Sequence, residues 1–283
     1  MALALALLSS ALWGSSDFQA GRMSKKYQPF AVLGITQLIG LAFGISLVFI
    51  TREKSAVAFG TNGFFSGYFW PGVFAGIFGY IGLVCLYTGL STGRMGVVSP
   101  ISSLGAVVPV FFALIGGEEL SRGRIIGVVI ALAGAFCASG PEISQGFPIK
   151  PVLLAFGAAF GFGTCLTLMG IGSESSALMT MVTMRATTAI VTIFLALKFK
   201  TTGGFQVADS PSLIFIGVAD FLANFTLGLA TQHGLVSLVM VLGSLFPVVT
   251  VLLAFKLLHE RLHKIQYLGV ILAVAGVAII SAA

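Results

Sequence analysis

Long apolar stretches alternate with short polar breaks along the whole chain. A helix crossing about 30 Å of hydrocarbon needs about 20 predominantly apolar residues. Ten stretches approach that length, at residues 3–21, 30–50, 70–91, 95–116, 124–140, 151–171, 177–197, 211–231, 234–255 and 265–282. The connections between them are mostly short, so sequence neighbours form antiparallel hairpins. The longest polar stretches, 51–69 and 198–210, read as loops, and no segment is left over for a soluble domain. Residues 1–12 lack a basic leading region, and their apolar run continues through Trp13 and Gly14 to Asp17. The first stretch therefore reads as a helix rather than a signal peptide.

Composition turns a helical chain into a membrane-embedded one. Hydrophobic residues make up 57% and charged residues 8%, and the mean hydropathy is +1.07. A soluble domain carries about 25% charged residues. This excludes an ordinary cytosolic enzyme, a disordered chain and a nucleic-acid binder. The net charge of +6 is spread so that no basic run exceeds two residues. Loop Lys and Arg of this kind meet the anionic headgroups of a lipid bilayer. Cys85, Cys137 and Cys165 all lie inside apolar stretches and read as small core residues, with no disulfide or metal framework.

The two halves repeat. Residues 96–110 and 234–248 agree at seven of 15 positions, including Gly96/Gly234, Ser99/Ser237, Gly105/Gly243 and Pro109/Pro247. Glu118/Glu260, Leu120/Leu262, Gly127/Gly269 and Gly134/Gly276 agree further on, and Trp13-Gly14 is echoed by Phe162-Gly163. The unit is five helices, over 1–140 and 150–283. An odd number of spans forces the second unit to enter the bilayer upside down. The fold class expected is all-α integral membrane, with ten transmembrane helices as two inverted five-helix repeats. Such repeats are typical of secondary transporters, with alternating access around a midplane site.

The residues Ala11-Leu12-Trp13-Gly14, the run from Tyr87 to Pro109, Pro247, His259-Glu260-Arg261-Leu262, and Gly269 with Gly276 carry a family resemblance. Over nearly its whole length the chain resembles the EamA family of the drug/metabolite transporter superfamily. Arg185 stands where that family often has an arginine, whereas its repeat counterpart Gln37 departs from the pattern. Gly116-Gly117-Glu118-Glu119 also stands nearer its proline than the family's usual glycine–glutamate turn, which bears on where the fourth helix ends. The resemblance implies ten helices, a cavity between the halves, and export or exchange of small metabolites in a plasma membrane.

Three charges fall within the spans: Asp17, Arg185 and Asp220. An ionised group at bilayer depth faces a partner or a watery cavity, and is a functional-site candidate by default. At 1.5 Å per residue, Arg185 and Asp220 lie within about 4 Å of one depth, so they are expected to pair. Asp17 lies nearer one surface and has Arg22 or Lys25 as possible partners. A coupling proton, if there is one, would use Asp220 or Asp17. Asn224 follows Asp220 on the same helix face, and Tyr80 and Tyr87 share a face of the third span. Pro109 and Pro247 interrupt the fourth and ninth spans at matching positions, a pointer to a transport site. The expected substrate-binding set is Trp13, Tyr80, Tyr87, Ser99, Ser102, Ser103, Asp220, Asn224, Ser237 and Ser244. Small-residue pairs such as Gly72/Gly76, Gly123/Gly127 and Gly157/Gly161 suit close helix packing.

No cofactor or metal is expected. His259-Glu260-Arg261-Leu262-His263 matches H-E-x-x-H, the zinc-protease signature. It sits in a hairpin connection, its repeat partner Gly117-Glu118-Glu119-Leu120-Ser121 has neither histidine, and a third ligand is missing. An intramembrane metalloprotease is thus a remote alternative, and an uncoupled channel-like facilitator a nearer one. No G-x-x-x-x-G-K loop is present for direct ATP drive. Lys and Arg number ten in the connections on one side and four on the other, which places both termini outside. The resemblance implies termini in the cytoplasm. The first half is balanced at four against four, so the orientation follows the resemblance.

Overall fold

The computed structural model describes residues 1–53, 56–61, 63–92, 101–138, 149–200, 203–258 and 263–283. All regular structure among them is helical. The helices are α1 (Ala2–Ser24), α2 (Pro29–Thr51), α3 (Phe69–Thr92), α4 (Val107–Ile115), α5 (Arg122–Ala138), α6 (Ile149–Phe199), α7 (Ser210–Thr231), α8 (Val236–Gly243), α9 (Phe246–Leu258) and α10 (Lys264–Ala282). Six helical runs among the described residues are long and apolar enough to cross a membrane. Large apolar side chains such as Phe49, Ile190, Phe194, Leu197 and Val274 are exposed, as lipid-facing residues must be.

The run α6 is 51 residues long, enough for two crossings, and it breaks at Ser176 (φ −162°, ψ 115°). The polar stretch 172–176 thus closes on a single extended residue. Ser176 makes this possible by capping the second arm, its Oγ accepting the Met179 N–H at 3.1 Å.

The repeated prolines sit at repeated breaks. The chain narrows to a 3-10 turn at Leu104–Ala106 just before α4, and α8 stops at Gly243 before α9 resumes at Phe246. Pro109 has no N–H for the Gly105 carbonyl and Pro247 has none for that of Gly243. The hydrogen-bond ladder therefore fails just upstream of each ring. The stretches 95–116 and 234–255 are accordingly interrupted rather than merely bent, the first being described from residue 101 onward. Helix α4 ends in a left-handed cap. Gly117 has φ +93°, the Glu118 N–H reaches the Ala113 carbonyl at 3.0 Å and the Gly117 N–H reaches Leu114 at 3.2 Å. That cap explains why the glycines stand so near the proline.

Glycine lets backbones approach where helices cross. A methyl added at Gly134 would lie 2.7 Å from the Ala273 Cα, and one at Gly276 would lie 2.7 Å from the Ala131 Cα, so α5 and α10 are in backbone contact. Gly72 and Gly76 of α3 accept Thr183 and Thr187 of the second arm of α6, while Gly217 of α7 accepts Ile39 of α2. Gly14 of α1 packs on Val249 of α9, and Gly163 of the first arm of α6 packs on Val108 of α4. The α3–α6 and α7–α2 crossings, and likewise the α1–α9 and α6–α4 crossings, involve positions that correspond in the sequence repeat.

Candidate functional site

Helices α1, α2, α7 and the second arm of α6 converge on one polar cluster. Asp220 lies ten residues beyond the start of α7 and eleven before its end. That is about 15 Å along the axis from either end, the middle of a bilayer core. Arg185 meets it there, with Nη2 to the Asp220 Oδ2 at 2.7 Å. The Arg185 side chain is only 6% exposed, whereas that of Asp220 is 27% exposed. The arginine is the sealed partner and the carboxylate the open one.

Each charge has further partners. The Trp13 indole N–H donates to Asp220 Oδ1 at 3.0 Å. Asn224 Nδ2 donates to the Asp220 carbonyl at 2.7 Å and reaches Oδ1 at 3.4 Å. Arg185 Nη1 donates to Gln37 Oε1, which also accepts the Thr188 hydroxyl at 3.1 Å. Arg185 and Gln37 are repeat counterparts. Gln37 lies in the first of the chain's two halves and Arg185 in the second, so their bond joins the two at this cluster. Arg185 Nε is buried without a hydrogen bond, and Gly40 leaves room beside it.

Asp17 is one turn beyond Trp13 on α1, exposed, and within electrostatic reach of Asp220. Among the described residues it forms no ion pair. The nearby Arg22 donates instead to Gln19 at 3.2 Å. Cys165, from the first arm of α6, lies near enough to feel both Arg185 and Asp220, and its Sγ is 3.9 Å from the Met184 Sδ. Trp13 also meets Phe246 edge-on, with ring centroids 6.1 Å apart, at the very restart of α9. The indole thereby links the charged cluster to the proline-marked break.

The remaining sequence-derived residues scatter. Tyr80 is half-buried on α3, beside Gly79, which packs on Cys165. Ser102 is buried and Ser103 half-buried ahead of the first break. Ser244 donates back to the Val241 carbonyl at 2.7 Å within the second break. Ser237 stands apart. It stands in the first turn of α8, where its N–H and hydroxyl both donate to Glu118, beyond the C-terminal end of α7, which is about 16 Å of helical rise from Asp220. Ser99, the Tyr87 side chain and residues 259–262 of the H-E-x-x-H run lie outside the described residues. His263 opens α10, where its N–H donates to Gln266 Oε1 at 2.9 Å, and no metal-binding cluster of His, Cys, Asp or Glu occurs among the described residues. Sequence reasoning missed Gln37 and Thr188 as members of the cluster. The signal for Gln37 was its place opposite Arg185 in the repeat.

The model of the EamA-like transporter family matches the chain twice, over residues 1–140 and 149–282. A solved structure described as "Crystal structure of protein" has 20% sequence identity and a TM-score of 0.79, covering 98% of this chain and 95% of its own. At that identity the likeness is one of fold. No curated protein matches. The chain belongs to the EamA-like transporter family, and with its long apolar helices it is a multi-pass membrane protein.

Proposed function

We propose that this member of a transporter family is a secondary transporter of small organic solutes, such as metabolites, amino acids or drugs. It works by alternating access and exports across the plasma membrane. Ten spans form two inverted five-helix units, 1–140 and 150–283, with the substrate site where they meet. The observation that carries this reading is the Arg185–Asp220 pair, held at mid-depth by helices of both halves and left open on its acidic side. A purely structural pair gains nothing from an open carboxylate. A binding site needs one.

The connections support the alternation of spans. Ser175 in the turn of α6 bonds Val57 in the loop after α2, Gln232 after α7 bonds Ser173, and Glu118 after α4 bonds Ser237. Lys26 after α1 bonds Asp209 before α7. Every one of these pairs falls on a single face when the chain crosses ten times.

Trp13, Asp17, Asp220 and Asn224 provide the substrate-facing donors and carboxylates, with the breaks before Pro109 and Pro247 as the points where backbone becomes available to a ligand. The test is a thermal-stability screen of the purified protein against amino acids, other metabolites and drug-like compounds, since a ligand bound to the native state raises apparent stability by mass action. We expect at least one compound to stabilise the wild type and to lose that effect in Asp220→Ala. A panel without any hit, or a hit indifferent to Asp220→Ala and Trp13→Ala, overturns the assignment of the site.

A further inference from the structure

A cavity lies away from the charged cluster. It has a volume of about 290 Å³ and is lined by the first turn of α1, Arg124, the turn carrying His233, Leu238 and the last turn of α10 with Ile280 and Ser281. Arg124 is the third residue of α5 and Ser281 the second-last of α10. The cavity therefore sits at the ends of its helices, at headgroup level rather than in the hydrocarbon.

Two of its polar side chains are unspent. Arg124 Nε is buried with no hydrogen-bond partner, and no ion pair among the described residues engages its guanidinium. The His233 main-chain N–H is used, reaching Ala230 at 3.1 Å, but its ring makes no hydrogen bond among the described residues. Glu118, the acid of the adjacent loop, is occupied by Ser237. The Ser281 hydroxyl donates to Val277 at 2.8 Å. A buried Nε–H without a partner is costly, and the planar fork of the guanidinium suits two oxygens of one phosphate.

We propose that this cavity binds a phosphate group, with Arg124 as the forked donor, His233 as a second donor, and Leu238 and Ile280 as the apolar wall. Basic pockets between membrane helices at headgroup level are a recurrent means of holding anionic lipids. The phosphate can come from a phospholipid headgroup or from a free phosphate, and these sources separate by experiment. The inference does not depend on the transport reading, because no residue is shared between the two sites.

The experiment follows thermal unfolding of the full chain in detergent with added phosphatidylglycerol, diacylglycerol or inorganic phosphate. Phosphatidylglycerol is expected to stabilise and diacylglycerol to have no effect. Arg124→Gln should raise the half-saturating phosphatidylglycerol concentration about tenfold, the weight of a lost charged hydrogen bond. Arg122→Gln, an exposed neighbour, should leave it unchanged. Stabilisation by phosphatidylglycerol alone assigns a lipid headgroup. An Arg124-dependent shift with millimolar inorganic phosphate assigns a free one. Equal effects of diacylglycerol and phosphatidylglycerol, equal effects of the Arg124 and Arg122 variants, or no response to either phosphate would overturn the proposal. Should Arg124→Gln fail to fold, the wild-type lipid comparison and His233→Gln decide it in the same terms.

Discussion

Removing Arg185 strands a carboxylate in the middle of the membrane. Arg185→Ala deletes the 2.7 Å contact to Asp220 and the bond to Gln37, leaving Asp220 with the Trp13 indole and Asn224. Breaking a buried pair from one side costs about 3–5 kcal/mol. The two remaining donors and the open edge of Asp220 place this case at about 3 kcal/mol. Asp220→Ala should cost more, because the abandoned Arg185 is sealed and has only Gln37 and the carbonyl of residue 220, at 3.5 Å, left to it. Removing both leaves neither charge stranded, so the double variant should melt above either single one. For a chain of this size about 3 kcal/mol corresponds to a fall of roughly 6–12 °C in the melting midpoint. The assay is thermal unfolding of the four purified proteins at one scan rate, since membrane proteins of this length unfold irreversibly and the midpoint depends on that rate. Losses that simply add across the four proteins would refute the pairing as an energetic unit.

Gly134→Val should lower the melting midpoint by the equivalent of about 1–3 kcal/mol of overpacking, because the new side chain meets the Ala273 backbone, whereas Gly21→Ala, with open space around it, should stabilise by about 1 kcal/mol through helix propensity; equal effects would contradict the packing described. At the surface the hydrogen bond from Lys26, helped by Tyr27, holds the Asp209 carboxyl below its ordinary 3.8, and the same bond raises the Lys26 ammonium above its ordinary 10.5. The link therefore contributes fully between about pH 4 and 10.5, fading as pH falls through the lowered Asp209 value or rises through the raised Lys26 value. Unfolding of the wild type and Asp209→Asn should differ at neutral pH and converge in acid, and a constant difference down to pH 2 would contradict the link. A reporter fused after Ala283 should be active on the cytoplasmic side, and an external signal would favour the charge count over the family.

Periodicity made the all-helical, membrane-spanning character of the chain legible, because apolar runs, small-residue crossings and proline breaks are local properties of a chain that must satisfy its own backbone in lipid. Gly72, Gly76 and Gly161 do in the structure what their spacing suggests, each facing a neighbouring helix. The Arg185–Asp220 contact followed from depth arithmetic, since bilayer thickness reduces the search to one dimension. What depth cannot supply is azimuth. Ser237 matches Ser99 in the repeat, yet it begins its helix at the membrane surface, because α8 starts only at residue 236. The Trp13–Asp220 bond joins residues 207 apart, and only the crossing of α1 over α7 decides it. Arg22 and Lys25 are nearer Asp17 in sequence, but Asp17, one turn beyond Trp13, lies within electrostatic reach of Asp220 instead.

The proposed carrier exposes a single site to each side of the membrane in turn. Its most direct test is counterflow in proteoliposomes, using the strongest ligand from the stability screen in labelled form. Vesicles preloaded with unlabelled ligand should take up the label in a saturable burst that exceeds uptake into empty vesicles, and Asp220→Ala should abolish that burst. Flux that does not saturate, and that preloading does not accelerate, would contradict alternating access and make the protein a channel-like facilitator.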